Sequence, residues 1–336
     1  MTPERLEEIV AQASTKRLLV VGDLMLDEFV WGKVGRISPE APVPVVEVTS
    51  ETFYPGGAAN VARNLREFTP HVAVVGMIGA DRGGRQLREL LGQEQIETEG
   101  TLEDATFSTI VKTRIIARHQ QVVRVDREQI RNPSDEQVNG VADGVAARLP
   151  GIDAVIFEDY GKGFLTPELV RRICAAARQT GKIVTADPSP GHLIEWNTLT
   201  AVKPNRAEAF LAAGRRIPTI DIPPAEDAAL IEVGEALLRK WTTDLLLITL
   251  GEQGMMLFQR GDQPHHIPTK ARQVFDVSGA GDTAIALFTL ALCCEASPTE
   301  AAEIANHASA VVVGKLGTAT LTPLELRASF EEDGEK

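Results

Sequence analysis

The order of residues predicts an α/β fold: a mainly parallel sheet covered by helices on both faces, with a smaller β-sheet lid. Two observations predict the sheet. Short, nearly continuous apolar runs rich in β-branched residues alternate with amphipathic stretches, as strands buried on both faces require. A third observation predicts the lid. Residues 29–54 and 107–125 are β-branched, alternating and free of helix signal, so they read as antiparallel excursions from the main sheet.

In chain order, 17–26 (RLLVVGDLML) reads as a strand, 58–68 as a helix, 71–78 as a strand and 83–91 as a helix. The alternation resumes with strand 153–160, helix 166–179, strands 182–187 and 199–203, helices 205–213 and 225–241, and strand 244–250. The run 283–292 is apolar throughout and reads as a buried helix. No internal repeat, low-complexity tract or interdomain linker interrupts the chain, so residues 1–336 are expected to form a single domain carrying the lid.

Composition excludes several classes of function. The 336 residues are 43% hydrophobic and 24% charged, as in ordinary globular proteins, but the net charge is −13. Nucleic acid and anionic membranes normally meet a basic face, so neither is expected as a partner. A small phosphorylated ligand held by a few local cations stays open. Cys174, Cys293 and Cys294 are odd in number and lack metal or framework spacing, which fits a reducing compartment and buried, small apolar roles. The N-terminus is charged without an apolar core, and the longest apolar stretch, near 284–294, is too short to span a bilayer. The expectation is a cytoplasmic protein. The six histidines, including adjacent His265 and His266, lack metal-ligand spacing and read as surface or core residues. None of the Gly-Lys pairs at 32, 161, 181 and 314 is followed by Ser or Thr, and no GxGxxG follows the first strand. A P-loop is therefore excluded, and a dinucleotide oxidoreductase is disfavoured.

The run DVSGAGDT at 276–283 carries the chemistry. Gly279, Ala280 and Gly281 leave the backbone bare just before the apolar helix, whose free N–H groups can face an anion. Asp282 then stands where a carboxylate can take a proton from an attacking hydroxyl while amides stabilise phosphoryl oxygens. Taken alone, Asp282 could equally cap the helix.

Other turns offer polar groups. Asp23 and Asp27 end the first strand, where ligands of open α/β sheets bind, although turn-forming aspartates have the same look. Gly56, Gly57 and Asn60 (GGAAN) open a helix with bare backbone and an amide, enough to hold a polyol. Asn205 and Glu208 could order water around Mg²⁺, or simply form a capping box. Thr249, Gly251 and Gly254 lie in a turn (TLGEQG) that could admit a nucleotide or be a plain β-turn.

Together GGAAN at 56–60, KPNRAE at 203–208, TLGEQG at 249–254 and DVSGAGD at 276–282 resemble, in order and spacing, the ribokinase-like (PfkB) sugar kinases. That resemblance covers nearly the whole chain. It implies ATP-dependent phosphorylation of a sugar hydroxyl on a Rossmann-like, three-layer αβα ribokinase-like fold. It also implies that Asp282 is the base and residues 279–281 the anion hole. Asp23, Asp27, Gly56, Gly57 and Asn60 would hold sugar. Lys203, Asn205, Thr249, Gly251, Gly254 and Asn306 would meet ATP, with Asn205 and Glu208 organising Mg²⁺. Asp276 and Ser278 match positions that bind a monovalent cation such as K⁺ in some members, although Ser278 replaces the commoner Thr.

Residues 22–46, DYGKG at 159–163 and VVVGKLGTAT at 311–320 resemble a narrower subfamily, the D-glycero-β-D-manno-heptose 7-phosphate kinases of ADP-heptose and lipopolysaccharide precursor synthesis. A phosphorylated sugar needs cations, and Lys112, Arg114 and Lys162 are candidates, with Asp159 beside them. As single residues they read equally as solvated surface charges. The chain departs from that subfamily at 187–191, where DPSPG stands in place of DPKG and Ser189 replaces a lysine. Another PfkB-type kinase for a ribose-, fructose- or tagatose-like sugar is the alternative. A non-catalytic sugar- or nucleotide-binding regulator would show eroded GAGD or NxxE groups, and both are intact. With no nucleotidyltransferase half after residue 330, a stand-alone kinase is expected, and exposed lid strands suggest a homodimer.

Overall fold

A computed structural model describes residues 1–334 apart from 119, 190, 193, 219–221, 272 and 273. An eight-stranded sheet runs in the order His265–Ile267, Met255–Gln259, Leu245–Thr249, Ala201–Val202, Ile183–Asp187, Ala154–Glu158, Arg17–Gly22, His71–Val75. Pairing is parallel from Leu245–Thr249 to His71–Val75 and antiparallel for the two strands at the other edge.

The apolar strands serve two cores because successive side chains point to opposite faces. Leu18 and Val20 join the helices Pro3–Ala13, Ala58–Arg66, Ala280–Cys293 and Pro298–Val313. Leu19 and Val21 join Asp135–Arg148, Pro167–Gln179, Arg206–Ala212 and Ala228–Lys240 on the opposite face. Each of these four strand side chains is fully buried, which stabilises by roughly 1.5–3 kcal/mol apiece. The result is the three-layer αβα arrangement.

Two expected strands prove to be broken. The run 17–26 divides at Asp23 into Arg17–Gly22 in the main sheet and Leu24–Ile37 in the lid. Asp23 marks the break: its N–H donates to the Glu158 carbonyl and its own carbonyl accepts the Ala58 N–H, both at 3.1 Å. The run 71–78 likewise divides at Gly76, and Met77–Gly79 pairs in parallel with Leu102–Asp104.

The lid is a four-stranded sheet in the order Pro44–Gly57, Leu24–Ile37, Ile110–Ala117, Gln120–Arg127. It is wider than 29–54 and 107–125, and it is not wholly antiparallel. Two hairpins are antiparallel, but Leu24–Ile37 pairs in parallel with Ile110–Ala117. The hairpins are joined through a long excursion into the core, and that length of connection permits a parallel pair. The helices Pro3–Ala13, Asp135–Arg148, Pro298–Val313 and Pro323–Gly334 add to those expected. Cys293 and Cys294 are buried and Cys174 is partly buried; all three are free thiols. Among the described residues no helix is long and apolar enough to cross a membrane.

Candidate active site

Strand ends at the carboxyl edge of the parallel sheet bring Asp23, Glu158, Asp159, Asp187 and Lys203 to one region, facing the first turn of Ala280–Cys293. That helix has no side-chain cap: Gly279 occupies the cap position with φ 80°. Asp282 is therefore not the cap. Its buried carboxylate accepts the Asn60 amide at Oδ2 and the Tyr160 hydroxyl at Oδ1, each at 2.7 Å. Burial lifts this carboxyl above its ordinary range against the pull of those two donors. The Ala280 N–H reaches back to the Val277 carbonyl at 3.3 Å. Among the described hydrogen bonds, none engages the N–H groups of Gly279, Gly281 or Asp282, so these amides can meet an anion.

Asn60 is fully buried, and with its amide nitrogen spent on Asp282 its Oδ1 has no partner. A buried, unpaired acceptor costs about 1–3 kcal/mol, which a hydroxyl-bearing ligand would relieve. Gly57 stands beside it with φ 58°, and a Cβ there would lie 2.5 Å from the Asp23 carbonyl. A Cβ on Gly56 would strike the Asp27 carboxylate. Close approach of backbone thus requires glycine at 57, while a side chain at 56 would have to displace the Asp27 carboxylate.

Asp23 faces inward to its own chain. Its carboxylate accepts the N–H groups of Tyr160 at 2.9 Å, Lys162 at 3.0 Å and Phe164 at 3.3 Å. Burial raises its pKa to about 6, the three N–H groups opposing the rise. Asp27, also buried, is ion-paired with Arg114, whose guanidinium covers the Phe29 ring at 5.2 Å. The other two cations are paired as well: Lys162 with Glu128 at 2.7 Å and Lys112 with Asp126 at 3.9 Å. Asp159 accepts the Gly161 N–H at 2.8 Å and meets His192 Nδ1 at 3.0 Å.

Lys203 is buried against Asp187, with Nζ 2.7 Å from Oδ2. A Cβ on Gly281 would lie 3.6 Å from that Nζ, so the lysine sits beside the bare helix terminus. Burial lifts the Asp187 carboxyl, and the surrounding carboxylates in turn raise Lys203 and keep it charged. Asn205 and Glu208 do form a capping box: Asn205 Oδ1 accepts the Glu208 N–H at 2.9 Å and Glu208 Oε2 the Asn205 N–H at 2.7 Å. Among the described hydrogen bonds Glu208 Oε1 is left free. Asn205 bridges to Thr249, on the rim of the next cavity.

That cavity, of about 450 Å³, is lined by Thr249, Gly251, Gly254, Asn306, Ala280 and Gly281 among others. It brings the late TLGEQG turn and the GAGD loop to one space. The walls are largely apolar, from Met255, Val274, Val277 and Val313. Asn306 donates to the Pro268 carbonyl at 2.7 Å. Asp276 takes the Ser278 N–H at 2.9 Å and the Gly317 N–H at 3.2 Å, tying the 276–278 turn to the 311–320 segment.

Sequence reading did not single out Tyr160, Glu158, Asp187 or His192 for a role in the site. Glu158 is fully buried among Asp187, Asp282 and Asp159, and burial first, then these charges, pushes its carboxyl well up. The usable signal was positional: each lies at or just beyond a carboxyl strand end, where ligands of such sheets bind.

A parallel sheet, a β lid and a bare helix terminus opposite a glycine turn define a class of protein, and comparison identifies it. Residues 15–325 match the pfkB family carbohydrate kinase profile. The chain belongs to that family, phosphotransferases acting on a sugar hydroxyl. Among curated relatives, the bifunctional protein HldE of Geotalea uraniireducens is 42% identical over 330 residues, 98% of this chain and 66% of the relative. The bifunctional protein HldE of a Caulobacter species is 43% identical over 316 residues, 92% of this chain and 62% of the relative. The chain thus spans about two thirds of the length of the curated relatives it matches. Phosphofructokinase-2 from Escherichia coli in complex with potassium superposes with a TM-score of 0.76 at 18% identity, covering 95% of this chain and 99% of that one. A ribokinase from Arabidopsis thaliana complexed with ribose and ATP gives 0.70 at 19%, covering 94% and 99%. These two likenesses establish the ribokinase-like fold.

Proposed function

We propose that the protein is an ATP-dependent kinase that phosphorylates the anomeric hydroxyl of D-glycero-β-D-manno-heptose 7-phosphate, giving the 1,7-bisphosphate. The observation that carries the chemistry is Asp282, buried at an uncapped helix terminus between the cavity and the Asn60 turn. The heptose assignment is supported by the resemblance at 22–46, 159–163 and 311–320 and by the likeness to HldE proteins.

In this reading Asp282 accepts the proton of the attacking hydroxyl, and the γ-phosphoryl group of ATP moves in line to that oxygen as its bond to the departing ADP breaks. The free N–H groups of Gly279, Gly281 and Asp282, with Lys203 beside them, meet the charge on the phosphoryl oxygens. Asn60 Oδ1 is free to accept a sugar hydroxyl. The cavity lined by Thr249, Gly251, Gly254 and Asn306 takes the nucleotide. The donor set suits Mg²⁺ held largely through water, since Glu208 keeps one free carboxylate oxygen and Mg²⁺ retains much of its hydration shell. When bound, that ion supplies neutralisation of phosphate charge. Asp276 already accepts an N–H on each oxygen, so no step is assigned to K⁺. The exposed strand Gln120–Arg127, with Val122, Val123 and Val125 open to solvent, favours pairing of lids in a homodimer.

A second reading, a kinase for an unphosphorylated ribose-, fructose- or tagatose-like sugar, is favoured by the ion pairs that already occupy Lys112, Arg114 and Lys162 and by Ser189. The test is ADP release with ATP and Mg²⁺ across heptose 7-phosphate, hexose phosphates, and free hexoses and pentoses. Preferred turnover of heptose 7-phosphate is expected; activity confined to unphosphorylated sugars would replace the first reading by the second.

A further inference from the structure

The turn 159–164 is held more firmly than its exposure requires. Asp23 gathers the N–H groups of Tyr160, Lys162 and Phe164, while Asp159 takes that of Gly161. Gly161 and Gly163, at φ 66° and 101°, let the chain curl around those carboxylates. What this rigid turn presents is the Tyr160 hydroxyl, 2.7 Å from Asp282 Oδ1. A phenylalanine would fill the same space, so the hydroxyl calls for a reason: desolvating it is costly, and Asp282 is its partner.

We propose that Tyr160 is a positioning residue for phosphoryl transfer: its hydroxyl fixes Asp282 Oδ1 while Asn60 fixes Oδ2, setting the carboxylate plane and leaving each oxygen a lone pair for the acceptor hydroxyl. This rests on Asp282 being the base. Burial and the neighbouring carboxylates push the phenol well above its ordinary pKa, so it remains a donor throughout the working range. A donor to the ionised form keeps a carboxylate charged. The other charges acting on Asp282 are Asp27 from the lid strand, Glu158 and Asp187 from the strand ends, and Lys203 from the loop before Arg206–Ala212. Removing the Tyr160 hydroxyl leaves those in place.

Tyr160→Phe should lower kcat about 10-fold, leave KM for ATP and sugar within about twofold, and move the acid limb of the kcat profile up by about one pH unit. The chain has two tyrosines, Tyr54 and Tyr160. Tyr54→Phe protein grown on 3-fluorotyrosine therefore carries one label, at position 160. The more acidic phenol donates more strongly, so its acid limb should move down, and its ¹⁹F resonance should titrate with Asp282 and cease to do so when Asp282→Asn is added. A folded Tyr160→Phe protein with unchanged kcat and acid limb overturns the proposal, as does a ¹⁹F signal that ignores Asp282. Should Tyr160→Phe fail to fold, the fluorinated protein decides. Near-normal turnover by Asp282→Asn would instead defeat the base assignment, a result separable from either of these.

Discussion

Around Asp282 the ionisable groups are buried and mostly acidic, with Glu158, Asp187 and Tyr160 gathered near it beside Lys203, whereas in the lid and the 159–164 turn each candidate cation has its own carboxylate: Arg114 with Asp27, Lys112 with Asp126, Lys162 with Glu128. The first region is electrostatically unfinished, with raised carboxyls and an orphaned Asn60 oxygen. The second is already compensated. A ligand entering the first gains interactions nothing else supplies; a phosphate entering the second must compete with existing ion pairs. In the proposed function, chemistry falls to the strand ends, and a sugar phosphate would be met where cations already hold ion pairs.

Four perturbations bear on that contrast. Asp282→Asn should cut kcat by about 10²-fold or more while calorimetry still detects ATP binding; near-normal turnover would remove the functional basis for treating the strand ends as the chemical centre. Arg114→Ala leaves Asp27 buried without its cation and should cost about 2–4 kcal/mol in urea unfolding, with Asp27→Asn/Arg114→Gln recovering most of it. A loss below about 1 kcal/mol would mean the lid does not depend on its compensation.

The third perturbation is pH. Asp23 has a folded pKa of about 6 against an ordinary 3.8, so between those values the folded state binds more protons than the unfolded chain. Its contribution to stability is greatest below the lower value and is lost as pH rises through the upper one, by roughly 1–3 kcal/mol. Urea midpoints of wild type and Asp23→Asn should therefore diverge across that window; parallel curves would contradict it. The smallest effect is expected at the 159–164 turn. Lys162→Met should change stability by less than about 1 kcal/mol, yet raise KM for a phosphorylated sugar if the lysine leaves Glu128 for phosphate. An unchanged KM would free Lys162 from any part in selection.

Much of this was legible residue by residue. The apolar runs near 17–22, 154–158, 183–187 and 245–249 are strands because nothing but a sheet buried on both faces accommodates them. GAGD announced a bare helix terminus because Gly279 can adopt φ 80° without strain. Other features were hidden for identifiable reasons. The break at Asp23 lies within a continuous apolar run and depends on Glu158, 135 residues away in sequence and close only after folding. The parallel pairing across the lid joins two hairpins whose local patterns each look antiparallel. Tyr160 looks like an ordinary strand-end aromatic until Asp282 is placed opposite it.

By itself the sequence determined the layered α/β fold, the presence of a smaller β-sheet and the glycine turns, since burial periodicity and backbone freedom are local properties of residue type. It left Asp282 open between cap and base and Asn205–Glu208 open between capping box and ion site. Tertiary structure removed the cap reading of the first and showed the box of the second: the helix has no side-chain cap and Asp282 meets Asn60 and Tyr160, while the reciprocal box spends one oxygen of Asn205 and one of Glu208. It also decided that the candidate cations are paired, because a charge meets its counter-charge through space, between segments that lie far apart in the chain.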